Sequence, residues 1–141
     1  RAYLGLGWCY AMIDKLDDAI ASFDSVITRE PSSPDGYSGK AFILMAKNKY
    51  EETIETAFKA ILLGGEGYVF SQIPDVNSSS LRLLLAECYY AMGNYAEAMI
   101  QVDIIKPYNK LDRNSRNFKQ DLLAELEKIE SDIQIMNDLN I

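Results

Sequence analysis

Apolar and small residues recur through the first hundred positions at helical spacing, and the spacing itself repeats. Tyr3, Leu6, Gly7 and Tyr10 are followed by Ala19, Phe23 and Pro31. A second set reads Tyr37, Lys40, Ala41 and Leu44, then Thr53 and Ala57. A third reads Arg82, Leu85, Ala86 and Tyr89, then Ala98 and Val102. Gly7 and Ala41 lie 34 positions apart, and Ala41 and Ala86 lie 45 apart, one 34-residue period plus 11. Inside each set the step between small residues is 12: Gly7 to Ala19, Ala41 to Thr53, Ala86 to Ala98. Small residues at a fixed interval mark close helix crossings, with large side chains filling the space beside them. Each set therefore predicts two amphipathic helices joined by a short turn, at Ile13-Asp14-Lys15, Lys47-Asn48-Lys49 and Met92-Gly93-Asn94. Pro31 and Pro34 are expected to stop the second helix of the first set.

This pattern resembles the tetratricopeptide repeat, with its Trp-x2-Leu-Gly-x2-Tyr, Ala-x3-Phe and closing Pro at a period of 34. The first copy carries Tyr3 for the Trp, then Leu6-Gly7, Tyr10, Ala19, Phe23 and Pro31. The third carries Leu85-Ala86, Tyr89, Gly93-x-Tyr95 and Ala98. The second departs most, with Lys40 for the Leu, Ala57 for the Phe and Gly65 where the Pro belongs. The resemblance covers roughly residues 1–110. It implies an all-α, right-handed α-solenoid of three helix-turn-helix repeats: residues 1–33, 34–66 and 79–110, with an inter-repeat insertion at 67–78 and a long capping helix in 111–141.

The stretch from Leu63 to Ser80 around the insertion holds three glycines, a proline and a serine run, and so reads as a loop with Asn77 or Ser78 capping the next helix. Inside it, Tyr68, Val69 and Phe70 form an apolar triplet that either packs back on the solenoid or contacts a partner. After Pro107 a polar connection leads to a last helix, about Ser115 to Asp138. Its stripe of Leu122, Leu126, Ile129, Ile133 and Met136 is spaced 4-3-4-3. Such a seam suits a cap over the solenoid, and the overhang at Ile133 and Met136 is a candidate self-association surface, making a homo-oligomer one expected state.

Composition narrows the chemistry. The 141 residues include no histidine, 14 Lys+Arg against 21 Asp+Glu, and a formal net charge of −7. Without histidine there is no imidazole base, no Ser-His or Cys-His nucleophile pair and no His-ligated metal. The acidic balance argues against a nucleic-acid partner, which needs a basic face. No apolar run reaches the ~20 residues of a membrane span, so membrane insertion is not expected. No phosphate loop, Gly-x-Ser-x-Gly or Cys-x-x-Cys motif occurs. Neither an enzyme nor a cofactor or metal is expected. Asp17-Asp18 and Glu51-Glu52 fall at helix starts, where they complement the helix dipole. Glu125, Glu127, Glu130 and Asp132 read as the solvated face of the last helix. Cys9 and Cys88 sit at equivalent repeat positions and read as two free, buried thiols too far apart to join. Arg1 lies inside an apolar-periodic segment with no cap before it, so the chain reads as a piece of a longer protein.

The resemblance implies that ligands bind the concave side, lined by the first helix of each pair. The groove positions are Leu4, Trp8 and Met12 in the first copy, Ser38, Phe42 and Met45 in the second, and Leu83, Glu87 and Tyr90 in the third. Family members that grip carboxylate tails use Lys, Arg and Asn there; this chain holds Leu4, Trp8, Phe42 and Glu87 instead. A stripe of Trp, Phe, Tyr and Met suits an apolar or amphipathic peptide of a protein partner. The same aromatics could equally stack between adjacent helices and extend the core. The expected function is a protein-interaction scaffold, with a structural or oligomerisation element as the alternative.

Overall fold

The computed structural model describes the backbone of residues 2–70 and 76–139 and the side chains of residues 6–70 and 76–133. These residues form seven α-helices: α1 (Ala2–Met12), α2 (Leu16–Arg29), α3 (Pro34–Ala46), α4 (Tyr50–Gly64), α5 (Ser78–Ala91), α6 (Tyr95–Ile105) and α7 (Phe118–Leu139). An isolated antiparallel bridge between Val69 and Asn77 is the extended pairing among them.

The three short turns are copies of one another. Each contains one residue in the left-handed region: Asp14 at φ 62°, Asn48 at φ 59° and Gly93 at φ 79°. The N–H of the following residue then returns to the preceding helix, Lys15 to the Tyr10 carbonyl, Lys49 to Leu44 and Asn94 to Tyr89. Asn and Asp tolerate this conformation better than other side chains, and Gly adopts it freely, which is why those three residue types stand there. Asp17-Asp18 and Glu51-Glu52 do fall in the first turns of α2 and α4.

Pro31 stands where expected, directly after Glu30, the C-cap of α2, which ends at Arg29. Pro34 differs from the expectation and opens α3 with Ser33 as its N-cap. At the first helical position the missing N–H would have been unpaired anyway. α5 begins as expected at Asn77, whose side chain accepts from the Ser80 N–H at 3.0 Å while Ser80 Oγ accepts from the Asn77 N–H at 2.8 Å.

Helices pack in chain order, α1 on α2 through to α6 on α7. A second set of contacts joins α1 to α3, α3 to α5 and α5 to α7. The first helices of the pairs thus form one layer, and α7 extends it as the first helix of a fourth pair would. The result is an all-α helical-repeat solenoid. Ala19, Ala41, Thr53, Ala86 and Ala98 are fully buried at the helix crossings. One core cluster runs through the first five helices around Phe23, Ile61, Leu81 and Leu85. A second joins α5, α6 and α7 around Ala86, Val102, Leu122, Leu126 and Ile129.

The insertion is folded onto this body. Tyr68 and Phe70 are buried in the first cluster, whereas Val69 between them is 55% exposed. The Tyr68 hydroxyl donates to Asp35 Oδ1 at 2.8 Å and accepts from Ser38 Oγ at 3.1 Å. Burial, with the nearby Asp35 carboxylate, pushes the Tyr68 hydroxyl well above the ordinary phenol range. Arg82 pairs with Glu66 and also donates to Gln101 Oε1 at 3.1 Å, tying the start of the insertion to α5 and α6. The connection before α7 is ordered by Asp103, which accepts from Asn109 Nδ2 at 2.9 Å and pairs with Arg113 at 2.6 Å.

Candidate functional site

The eight groove positions whose side chains are described do not share one surface. Ser38 is fully buried, its Oγ 2.9 Å from the Pro34 carbonyl oxygen, and Leu83 is buried in the second cluster. Neither side chain faces a ligand. The insertion reaches Ser38 through the Tyr68 hydroxyl, and Leu83 packs in the cluster that α7 joins. Trp8 and Phe42 are half-buried against the first cluster. The Trp8 ring lies edge-on to Phe23 at 5.1 Å and to Phe70 at 6.2 Å, and tilted to Phe42 at 6.5 Å. These contacts seat one side of each ring against the core, and part of each side chain stays exposed. Met12 is 85% exposed at the end of α1. The Leu4 side chain lies outside the described residues, as does that of Met136.

The remaining three, Met45, Glu87 and Tyr90, come together. They line a cleft of about 170 Å³ that crosses from α3 over α5 to α7. The far wall is supplied by Leu123, Leu126, Glu127 and Glu130 of α7. Its apolar wall is held in place by its neighbours. Met45 Sδ lies 3.4 Å from Cys88 Sγ. The Tyr90 ring is edge-on to Tyr95 at 5.1 Å, and its hydroxyl donates to the Lys119 carbonyl at 3.1 Å. Lys119 Nζ in turn sits 5.0 Å from the Tyr95 ring centroid. Leu123 is 41% exposed.

The cleft is electrostatically one-sided. Burial, and behind it the Glu130 carboxylate, pushes Glu87 up to about 7 from its ordinary 4.5. No lysine or arginine lines the cleft, and among the described residues Glu87, Glu127 and Glu130 take part in no ion pair. Other carboxylates near helix contacts are matched: Asp24 with Lys40 at 2.7 Å, Asp17 with Lys47, and Glu125 with Lys106 at 2.8 Å. That last pair corrects the expected solvated row on α7. Glu125 is largely covered, because its turn faces the chain end of α6.

Sequence reasoning missed the α7 half of the cleft. The 4-3 seam picks out Leu122 and Leu126 and passes over Leu123, yet the Leu122-Leu123 doublet was the available signal of a stripe wider than one seam. Ile133, a candidate for self-association, packs against the second cluster of its own chain. The cysteines also divide. Both are free and Cys88 is buried, as expected, but Cys9 is exposed. α5 is flanked by α3, α4, α6 and α7, whereas α1 contacts only α2 and α3 among the described helices. Burial pushes the Cys88 thiol up to about 12, with a further rise from Glu87.

Comparison with known proteins agrees with this architecture. A family model described as Tetratricopeptide repeat matches residues 1–33 and 80–100, the first and third copies. No curated protein matches the sequence. Among solved structures, the Yersinia enterocolitica type III secretion translocator chaperone SycD superposes with a TM-score of 0.67 at 14% identity, over 94% of this chain and 84% of that one. A second structure of that chaperone, in an alternative dimer, gives 0.66 at 16% identity, over 96% and 91%. At such identities the likeness is one of fold. No described helix is long and apolar enough to cross a membrane.

Proposed function

We propose that this tetratricopeptide-repeat chain is a non-enzymatic protein-interaction scaffold whose inner helix layer receives an apolar or amphipathic peptide segment of a partner. The observation that carries the reading is the cleft shared by Met45, Glu87 and Tyr90. Three residues from two repeat units, selected as groove positions, converge there on a concave, mostly apolar surface with a few polar groups. That is the usual make-up of a recognition site. The aromatic pair Trp8 and Phe42 supports the floor of the inner layer and is not itself the anchor. The oligomer reading draws less support. Ile133 is already used inside the chain, so the α7 seam is not free at that position.

A photo-reactive residue at Met45 tests the reading against one at Leu62, which is 78% exposed on the outer helix α4. Crosslinks to a protein partner from position 45 and none from 62 are expected. The reverse pattern moves the interaction to the outer helices and defeats the proposal.

A further inference from the structure

The α3–α5–α7 cleft has an apolar floor and an acidic rim, and nothing in the described chain neutralises that rim. Glu87 and Glu130 face each other across the helix contact, and Glu127 lies one turn of α7 away. Like charges gathered beside a half-buried site are unfavourable on their own. Five other carboxylates of the described chain sit in ion pairs, so the unpaired state of these three is particular to the cleft. The space of about 170 Å³ suits one aliphatic side chain between Met45, Tyr90 and Leu126, and is too small for a broad surface.

We propose that the cleft recognises a basic amphipathic segment of a protein partner, one apolar side chain filling the floor while a lysine or arginine beside it meets Glu87 and Glu130. The inference rests on the scaffold reading above and adds the charge of the partner. Charge complementarity selects this occupant. A cation relieves the repulsion between the two carboxylates, and a chain of net charge −7 draws cationic segments toward it. A second copy of the same chain carries the same −7 and offers no such overall complementarity.

The test uses the full chain and three fluorescein-labelled, amidated peptides in anisotropy titrations. The first has leucines one helical turn apart with lysines beside them. The second has glutamates for the lysines, and the third has serines for the leucines. The lysine–leucine peptide is expected to bind at least about tenfold tighter than either control, the scale of one charge-assisted hydrogen bond. E87Q combined with E130Q should lower that affinity about tenfold with the far-UV circular dichroism unchanged. L123S should weaken the lysine and glutamate peptides alike, since Leu123 is exposed and its loss does not open the core. Equal affinity for the lysine and glutamate peptides, or no loss in E87Q with E130Q, overturns the proposal. If L123S still weakens binding in that case, the scaffold reading stands alone. If no peptide responds to L123S, both readings fall. A dimer in sedimentation that L123S dissolves would also overturn the proposal, by giving the cleft to a second copy.

Discussion

Replacing Gly39 with alanine opposes two effects whose sizes differ. Gly39 lies mid-way along α3, and alanine in a helix interior is favoured over glycine by about 1 kcal/mol. Against that, a Cβ on Gly39 would lie 2.3 Å from Phe23 Cε1, 2.4 Å from Cζ and 2.7 Å from Cδ1. Carbon atoms do not approach so closely, so the ring or a helix must move. The ring has nowhere to go. Phe23 is fully buried, and on its other side a Cβ on Gly7 would itself lie 2.8 Å from Cζ. It is wedged between the backbones of α1 and α3, with Trp8 edge-on at 5.1 Å. Overfilling a packed core costs about 1–3 kcal/mol, and a ring blocked on both sides belongs at the upper end. The net expectation for Gly39→Ala is a loss of about 1–2 kcal/mol, read as a lower midpoint in urea unfolding followed by far-UV circular dichroism. In a Phe23→Leu background the obstruction is gone, and Gly39→Ala should gain up to about 1 kcal/mol from helix propensity. The two changes should then couple by at least about 1 kcal/mol. A Gly39→Ala protein as stable as the parent, or additive behaviour with Phe23→Leu, refutes the account of the first helix crossing.

Three further outcomes are expected. Burial and the Glu130 carboxylate raise Glu87 from 4.5 to about 7 in the fold, so folding disfavours its charged form. Its contribution is therefore most favourable below pH 4.5, declines as pH rises to 7 and is flat above that. Glu87→Gln should gain about 1–2 kcal/mol over the parent at pH 8 and nothing at pH 4, the raw shift being cut by solvent at a half-buried site. An equal difference at both pH values refutes this. Tyr68→Phe leaves Ser38 and Asp35 without the hydroxyl between them and should cost about 1–2 kcal/mol, with faster proteolysis of the insertion. Unchanged stability would show that the insertion is held by its apolar contacts alone. A maleimide should label Cys9 in the native protein and Cys88 only after denaturant is added, because one thiol is exposed and the other buried with its titration pushed up to about 12. Simultaneous labelling counts against the observed packing of α5.

Much of the fold was legible because it depends on local rules applied three times. The helix pairs follow from small residues 12 positions apart, and the turns from Asp14, Asn48 and Gly93, the residue types that tolerate positive φ. The N-cap at Asn77 was legible for the same reason, since a capping box is closed by side chains three positions apart. Pro34 was misjudged because a proline forbids only a helix before it and permits one after it.

The site depended on contacts that no period records. Helical spacing places Ser38, Leu83, Glu87 and Met45 on inner faces of their helices. Which of them meets solvent depends on what the insertion and α7 cover, and those segments lie outside the repeat. Trp8 is half-covered because Phe70 returns from the insertion to its edge, 62 positions along the chain. The cleft exists because α7 takes the place of a further first helix beside α5. Its seam residues Leu122 and Leu126 enter the core and leave Leu123, Glu127 and Glu130 turned toward Met45, Glu87 and Tyr90. Thus the sequence alone determined the helix pairs, their turns and the absence of histidine chemistry, all of which are encoded within a few residues. Only the tertiary structure decided where the apolar surface stays open and that its rim is acidic. Burial and charge pairing are properties of residues far apart in the chain, and spacing within one helix carries no information about them.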